Sequence, residues 1–190
     1  MKTKILILAL FLFQSVTLLA QDVASLKIGA LKSYKAAVNM DFDGIFDTTY
    51  PKVFEIIPKD QMKEMFAQMM ENEQFSLKLV EVDPDFEFGQ IKKIENKTFC
   101  VINHNNVMIM TFKAPVVEVE EMMESFKNIM GADVITFDKT TNSFRLESRA
   151  TLIAVADDLT KGTWKFLNKD KDNMIFSMIF NEKIQKELGF

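Results

Sequence analysis

Few residues in this chain of 190 could do acid–base, nucleophilic or metal chemistry. There is one histidine, His104, one cysteine, Cys100, and two tyrosines, Tyr34 and Tyr50. A lone Cys forms no disulfide within the chain, and one Cys with one His does not build a zinc site of several such ligands. Cys100 lies between Phe99 and Val101 and reads as a core residue. His104 precedes Asn105-Asn106, a pair suited to a two-residue hairpin turn, so the imidazole is expected solvated at a strand tip. No nucleophile, base and orienting group stand in a recognisable set.

The acids nearest the tyrosines are Asp41, Asp43 and Asp47. Asp41 and Asp47 read as helix caps, which leaves Asp43 as the acid without an assigned structural role. Arg145 and Arg149 lie four apart on one predicted strand with Glu147 between them, so all three point to one sheet face. Such a pair could clamp a carboxylate or phosphate through forked hydrogen bonds. The spacing favours ion pairing with Glu147 and acids of a neighbouring strand. Thirteen methionines, several at helical spacing, suit core packing better than a Cu(I) site. Asp83, Asp85 and Glu87 lack the Asp-x-Asp-x-Asp-Gly pattern of a calcium loop. The residues imply no cofactor and no metal centre.

The start of the chain predicts export. Lys2 and Lys4 precede nine apolar residues, Ile5 to Phe13, and Leu18-Leu19-Ala20 ends in a small residue, the pattern of a signal peptide over 1–20. Gln14, Ser15 and Thr17 interrupt the apolar run, which is short for a membrane span. Cleavage after Ala20 predicts a periplasmic or secreted protein with no membrane span. It also takes the formal net charge from −4 to −6, a balance that gives no support to nucleic-acid binding.

Apolar spacing predicts helices over residues 22–38, 42–47, 52–57 and 59–72, the last with Met62, Met65, Phe66, Met69 and Met70 on one inward stripe. The period then changes to two. Strands are expected over 75–79, 86–94, 97–104 and 107–113, the last two joined by the Asn105-Asn106 turn. A helix over 118–130, with Met122, Phe126 and Ile129 or Met130 inward and Gly131 as C-cap, is inserted before strands over 134–137, 143–156 and 162–167. Residues 172–188 carry no clear period. Helices first and strands later predict a single α+β domain over 21–190 with an antiparallel sheet.

A first helix carrying Ser33-Tyr34-Lys35-Ala36, a late strand Gly162-Thr163-Trp164-Lys165-Phe166-Leu167 followed by a polar turn, and the Leu-Leu-Ala-Gln junction at 18–21 together resemble the NTF2-like, cystatin-like α+β superfamily in its exported Bacteroidetes form. The resemblance implies N-terminal helices packed on a curved antiparallel sheet that leaves a cone-shaped pocket. The ligand-binding candidates are then Tyr34, Asp43, Tyr50 and Trp164, together with the pair Arg145 and Arg149. Asp47-Thr48-Thr49 resembles that group's O-glycosylation acceptors. Members include binding proteins, isomerases and dehydratases, so the fold does not choose the function. The rich Phe and Met content points to a non-catalytic protein that binds a small apolar, amphipathic or anionic ligand, or a protein partner. The alternatives are an isomerase- or dehydratase-like enzyme using a pocket Asp and Tyr, and a structural module that forms homodimers.

Overall fold

The structure, a computed structural model, describes residues 23–169, 172 and 174–190. The predicted signal peptide, its junction at Ala20 and Asp22, the first residue of the first predicted helix, lie outside the described residues. No helix among the described residues is long and apolar enough to cross a membrane.

Helices come first. Helix α1 covers 23–38 and buries Leu26, Ala30 and Tyr34 at helical spacing. Helix α2, Phe42–Thr48, starts where the Asp41 carboxylate accepts the Gly44 N–H. Asp47 is not a cap: it sits in the last turn of α2 and pairs with Lys32 and Lys165. Helices α3, Val53–Ile56, and α4, Lys59–Met70, follow. The predicted methionine stripe of α4 splits. Met62, Phe66 and Met70 are half-buried, whereas Met65 and Met69 face solvent. One contact line along a helix is narrower than the apolar arc this sequence provides.

The sheet is antiparallel, with order β1-β4-β6-β5. Strands β1 (Phe75–Leu79), β2 (Glu87–Phe88) and β3 (Lys92–Ile94) all pair with β4 (Lys97–Phe112). Helix α5 (Val119–Met130) ends on Gly131 in the left-handed region, φ 64°, and leads into β5 (Val134–Asp138). Strand β6 (Ser143–Ala156) lies between β4 and β5 and also pairs with β7 (Lys165–Asn168). Residues 172–188, unreadable by period, contain α6 (Met174–Ile179) and α7 (Glu182–Leu188). The architecture is α+β, with helices packed on a curved sheet and α5 inserted between strands.

One expectation fails outright. Asn105 and Asn106 form no hairpin turn. They continue β4, with Asn105 opposite Arg149 and Asn106 opposite Ser148. Asn tolerates turn geometry but does not require it. Here the Asn105 N–H donates to the Pro84 carbonyl, its side-chain amide donates to Asp83, and the ladder with β6 runs through both residues.

Because that ladder pairs Cys100 with Ala154 and Phe144 with Met110, even-numbered side chains of β4 and β6 share one face and odd-numbered ones the other. The even face carries two apolar clusters. Cys100, Ile102, Leu152, Ala154, Trp164 and Phe166 pack under α1. Phe144 and Leu146 pack under Met122, Met123 and Phe126 of α5, while Ile129 points to solvent. On the odd face Phe99, Ile153, Val155 and Leu167 pack against Tyr50 and Val53 of the α3 corner and Phe176, Phe180, Ile184 and Leu188 of the C-terminal helices. The sheet is thus covered on both sides where β4, β6 and β7 meet, and it is through-chain burial of this kind that holds a domain this size together without disulfides.

Candidate functional site

Between the two clusters of the even face the long strands turn polar. Asn103-His104-Asn105-Asn106 of β4 stands opposite Ser148-Arg149-Ala150-Thr151 of β6. His104 and Asn106 project to the even face, the latter donating to Ser148 Oγ at 3.4 Å. His104 as a residue is only 8% exposed. Tyr34 of α1 meets it edge-on, ring centroids 5.7 Å apart, and Phe86 does the same at 5.8 Å. Mid-strand placement, not a strand tip, explains this burial and corrects the solvated position predicted for His104.

The His104 Nδ1–H donates to the Asn105 carbonyl at 2.9 Å, which leaves Nε2 as the acceptor. Burial holds the imidazole below its ordinary pKa. The Asn105 carbonyl opposes that shift, and the Arg149 charge adds to it. The ring is therefore neutral at pH 7. Tyr34 Oη donates to the Val82 carbonyl and accepts the Val82 N–H, both at 3.1 Å. Its hydroxyl is occupied in both roles, so the pair packs α1 onto the sheet and offers no proton to a ligand.

The His104 shift has a measurable consequence. A base with a depressed folded pKa is protonated first in the unfolded chain, so stability is full above the unfolded value of about 6.5 and falls as pH drops below it. The slope is at most about 1.4 kcal/mol per pH unit, the value for one proton. His104→Gln should flatten this segment of the stability–pH curve in urea unfolding. With one histidine in the chain, an unchanged slope would show that the ring is not buried as described.

On the odd face Arg145 and Arg149 are both engaged. Arg145 Nε pairs with Glu147 Oε1 at 2.8 Å. Arg149 Nη2 pairs with Glu87 Oε1 at 3.0 Å, and its Nη1 donates to Asn105 Oδ1 at 2.7 Å and Asp85 Oδ2 at 3.3 Å. An anion would have to compete with these carboxylates for each guanidinium. The same contacts commit two of the three acids Asp83, Asp85 and Glu87, and the Asp83 carboxylate accepts the Asp85 N–H. Among the described residues no group of three or more His, Cys, Asp or Glu could hold a metal ion.

The remaining candidates lie apart. Asp43 is exposed in the first turn of α2. Tyr50 is fully buried on the odd face, donating to Asp157 Oδ2 at 2.7 Å and stacking on Phe180. Trp164 is buried on the even face among the α1 contacts. The six ligand-binding candidates therefore divide between two faces of the sheet and the surface. Cys100 is buried, its thiol pushed up to about 11 by desolvation. Thr48 is buried too, with its hydroxyl donating to the Gly44 carbonyl at 2.8 Å, so the predicted glycosylation acceptor is closed in the folded chain. Sequence reading passed over Asp157, the partner of Tyr50, because 107 residues separate the two.

Open concavity lies at the surface. A groove of about 410 Å³ runs between α1 and α2, with Ile28, Leu31, Lys32, Lys35, Asn39 and Asp41 among its lining residues. Ile28 is 71% and Leu31 40% exposed. A second hollow of about 570 Å³ lies where the end of β4 meets the start of α5, between Gln74, Phe112, Pro115 and Val117. Comparison of the chain with protein-family models, with curated proteins and with solved structures finds no match.

Proposed function

We propose that the chain is an exported, non-catalytic binding protein of NTF2-like type whose ligand is an amphipathic anion, an alkyl chain ending in a carboxylate-like head. The groove between α1 and α2 carries this reading. Its wall is apolar where Ile28 and Leu31 stand exposed, and cationic where Lys32 and Lys35 flank them. Lys32 already pairs with Asp47 at 2.6 Å, which leaves Lys35 as the better placed of the two for a head group. A volume of about 410 Å³ is within the range of small-molecule sites. Against an enzyme stands the scatter of Asp43, Tyr34 and Tyr50 over separate surroundings, since acid–base catalysis needs its groups within hydrogen-bond reach of one substrate.

Titration with dodecanoate and with dodecanol, followed by calorimetry, tests the reading. The carboxylate should bind and the alcohol should bind more weakly. Lys35→Glu should weaken the carboxylate by about tenfold, the scale of one lost charge contact, and leave the alcohol unaffected. Ile28→Asp with Leu31→Asp should abolish both. No heat with dodecanoate, or equal binding to the double variant, would sink the assignment.

A further inference from the structure

We infer that the ligand head held between α1 and α2 is zwitterionic, an ammonium beside the carboxylate, and that Asp41 with Asn39 selects for the ammonium. This rests on the reading of that groove as the site of an alkyl chain with a carboxylate-like head. Four polar side chains line the groove: Lys32, Lys35, Asn39 and Asp41. Asp47 already neutralises Lys32 at 2.6 Å. Among the described residues Lys35 and Asp41 form no ion pair, either with each other or with a third group. One free positive and one free negative charge on the same wall are complementary to a ligand that carries both. A simple carboxylate would satisfy Lys35 but share the groove with a like charge on Asp41.

Local geometry fixes what each of these groups can offer. Asp41 Oδ1 accepts the Gly44 N–H at 3.1 Å, which leaves Oδ2 as an open acceptor. The Asn39 side-chain nitrogen donates to the Lys35 carbonyl at 2.9 Å, so its amide oxygen is the atom left to a ligand. Two acceptors suit a primary ammonium, which has only donors. The end of α1 adds to this, because the C-terminus of a helix carries a partial negative charge. Gly44 keeps the spot open. It sits inside α2, where any residue fits the backbone, yet a Cβ there would stand 2.5 Å from Asp41 Oδ2 and 3.0 Å from the Ala36 Cβ. Position along α1 gives the order of the ligand. Ile28 and Leu31 come first, Lys35 next and Asn39 one turn later. Lys35 and Asn39 are about 6 Å apart along the axis. An α-amino acid head, with its two charges on neighbouring atoms, spans that step with a hydrogen bond at each end.

Calorimetric titration of the purified protein with 2-aminodecanoate and with decanoate tests this at equal chain length. At neutral pH the first probe carries both charges and the second only the negative one. 2-Aminodecanoate should bind about fivefold tighter or more, the upper value for one exposed ion pair. Asp41→Asn removes the charge but keeps an oxygen that caps α2 equally well, and the side chain is exposed, so the fold should survive. In this variant the two dissociation constants should come to within about twofold of each other. Decanoate should bind the variant more tightly than the parent, because a like charge has gone. A variant that merely loosened the groove would weaken both probes. Equal or weaker binding of 2-aminodecanoate by the parent would overturn the inference, and so would a preference that survives Asp41→Asn. In either case decanoate binding that Lys35→Glu weakens would still uphold the groove as a carboxylate site. Heat from neither probe would overturn both readings.

Discussion

Phe144→Ala should lower the unfolding free energy by about 3–5 kcal/mol, the upper range for removing an aromatic side chain from a packed interior. Phe144 is fully buried on the even face of β6. Its ring meets three others: Phe137 at 4.6 Å, Phe126 at 5.1 Å and Phe112 at 5.9 Å between centroids. Those rings come from β5, α5 and β4, so one side chain joins β6 to the three elements that precede it. Only Ala132 and Leu146 are comparably buried beside it, and neither can move to fill an aromatic-sized hole. The cavity term should therefore be near its maximum. Phe144→Leu, which keeps most of the volume, should cost less than half as much. Urea unfolding followed by circular dichroism measures both. A loss below about 1 kcal/mol for the alanine variant would mean that α5 does not depend on this cluster.

Tyr50→Ala should cost a similar amount, about 3–5 kcal/mol, for a second reason. Tyr50 is fully buried where the α2–α3 corner meets the C-terminal helices, its ring 5.6 Å from Phe180 and 24° from parallel. Its backbone N–H donates to Phe166 of β7 and its hydroxyl to Asp157 at the end of β6. Tyr50→Phe isolates the hydroxyl and should cost about 1.5–3 kcal/mol, the worth of a hydrogen bond to a charged group. Burial first, and then the Asp157 carboxylate, push the Tyr50 pKa above its ordinary value. A raised folded pKa means the unfolded chain loses its proton first. The stabilisation is thus whole below the unfolded value of about 10 and is lost as pH rises beyond it. Wild type should lose stability faster than Tyr50→Phe above that pH. Parallel curves for the two proteins would contradict the buried hydrogen bond.

Much of the architecture was legible in residue spacing. Helix-first, strand-later order, the Asp41 cap and Gly131 stop, and the long β6 with Arg145 and Arg149 on one side all follow from periods of 3.6 and 2 acting on local chemistry. The Asn105-Asn106 error came from the same source. Asn favours turns by its own side-chain hydrogen bonding, and only the partner strand, with Arg149 and Ser148 opposite, makes extended pairing the better arrangement. The placement of His104 failed with it, since a mid-strand imidazole under Tyr34 exists only if the strand does not turn.

The candidate site was less legible than the fold. Residue types can nominate Tyr34, Asp43, Tyr50 and Trp164 but cannot say which face each occupies, because that depends on how helices cross a sheet formed later in the chain. The open groove at Ile28 and Leu31 was likewise invisible, since exposed and buried apolar residues are written with the same letters.

What the amino-acid order alone determined is local: where the helices up to α5 lie, which residues alternate across a strand, and that one Cys and one His leave little room for metal or nucleophilic chemistry. Tertiary structure decided everything that rests on pairs far apart in the chain. It set Tyr50 on Asp157, Tyr34 on His104 and Arg149 on Glu87, and it left β5 at the rim of the sheet. Such contacts form when separate elements bury apolar area together, a free energy of the whole assembly that no single segment carries.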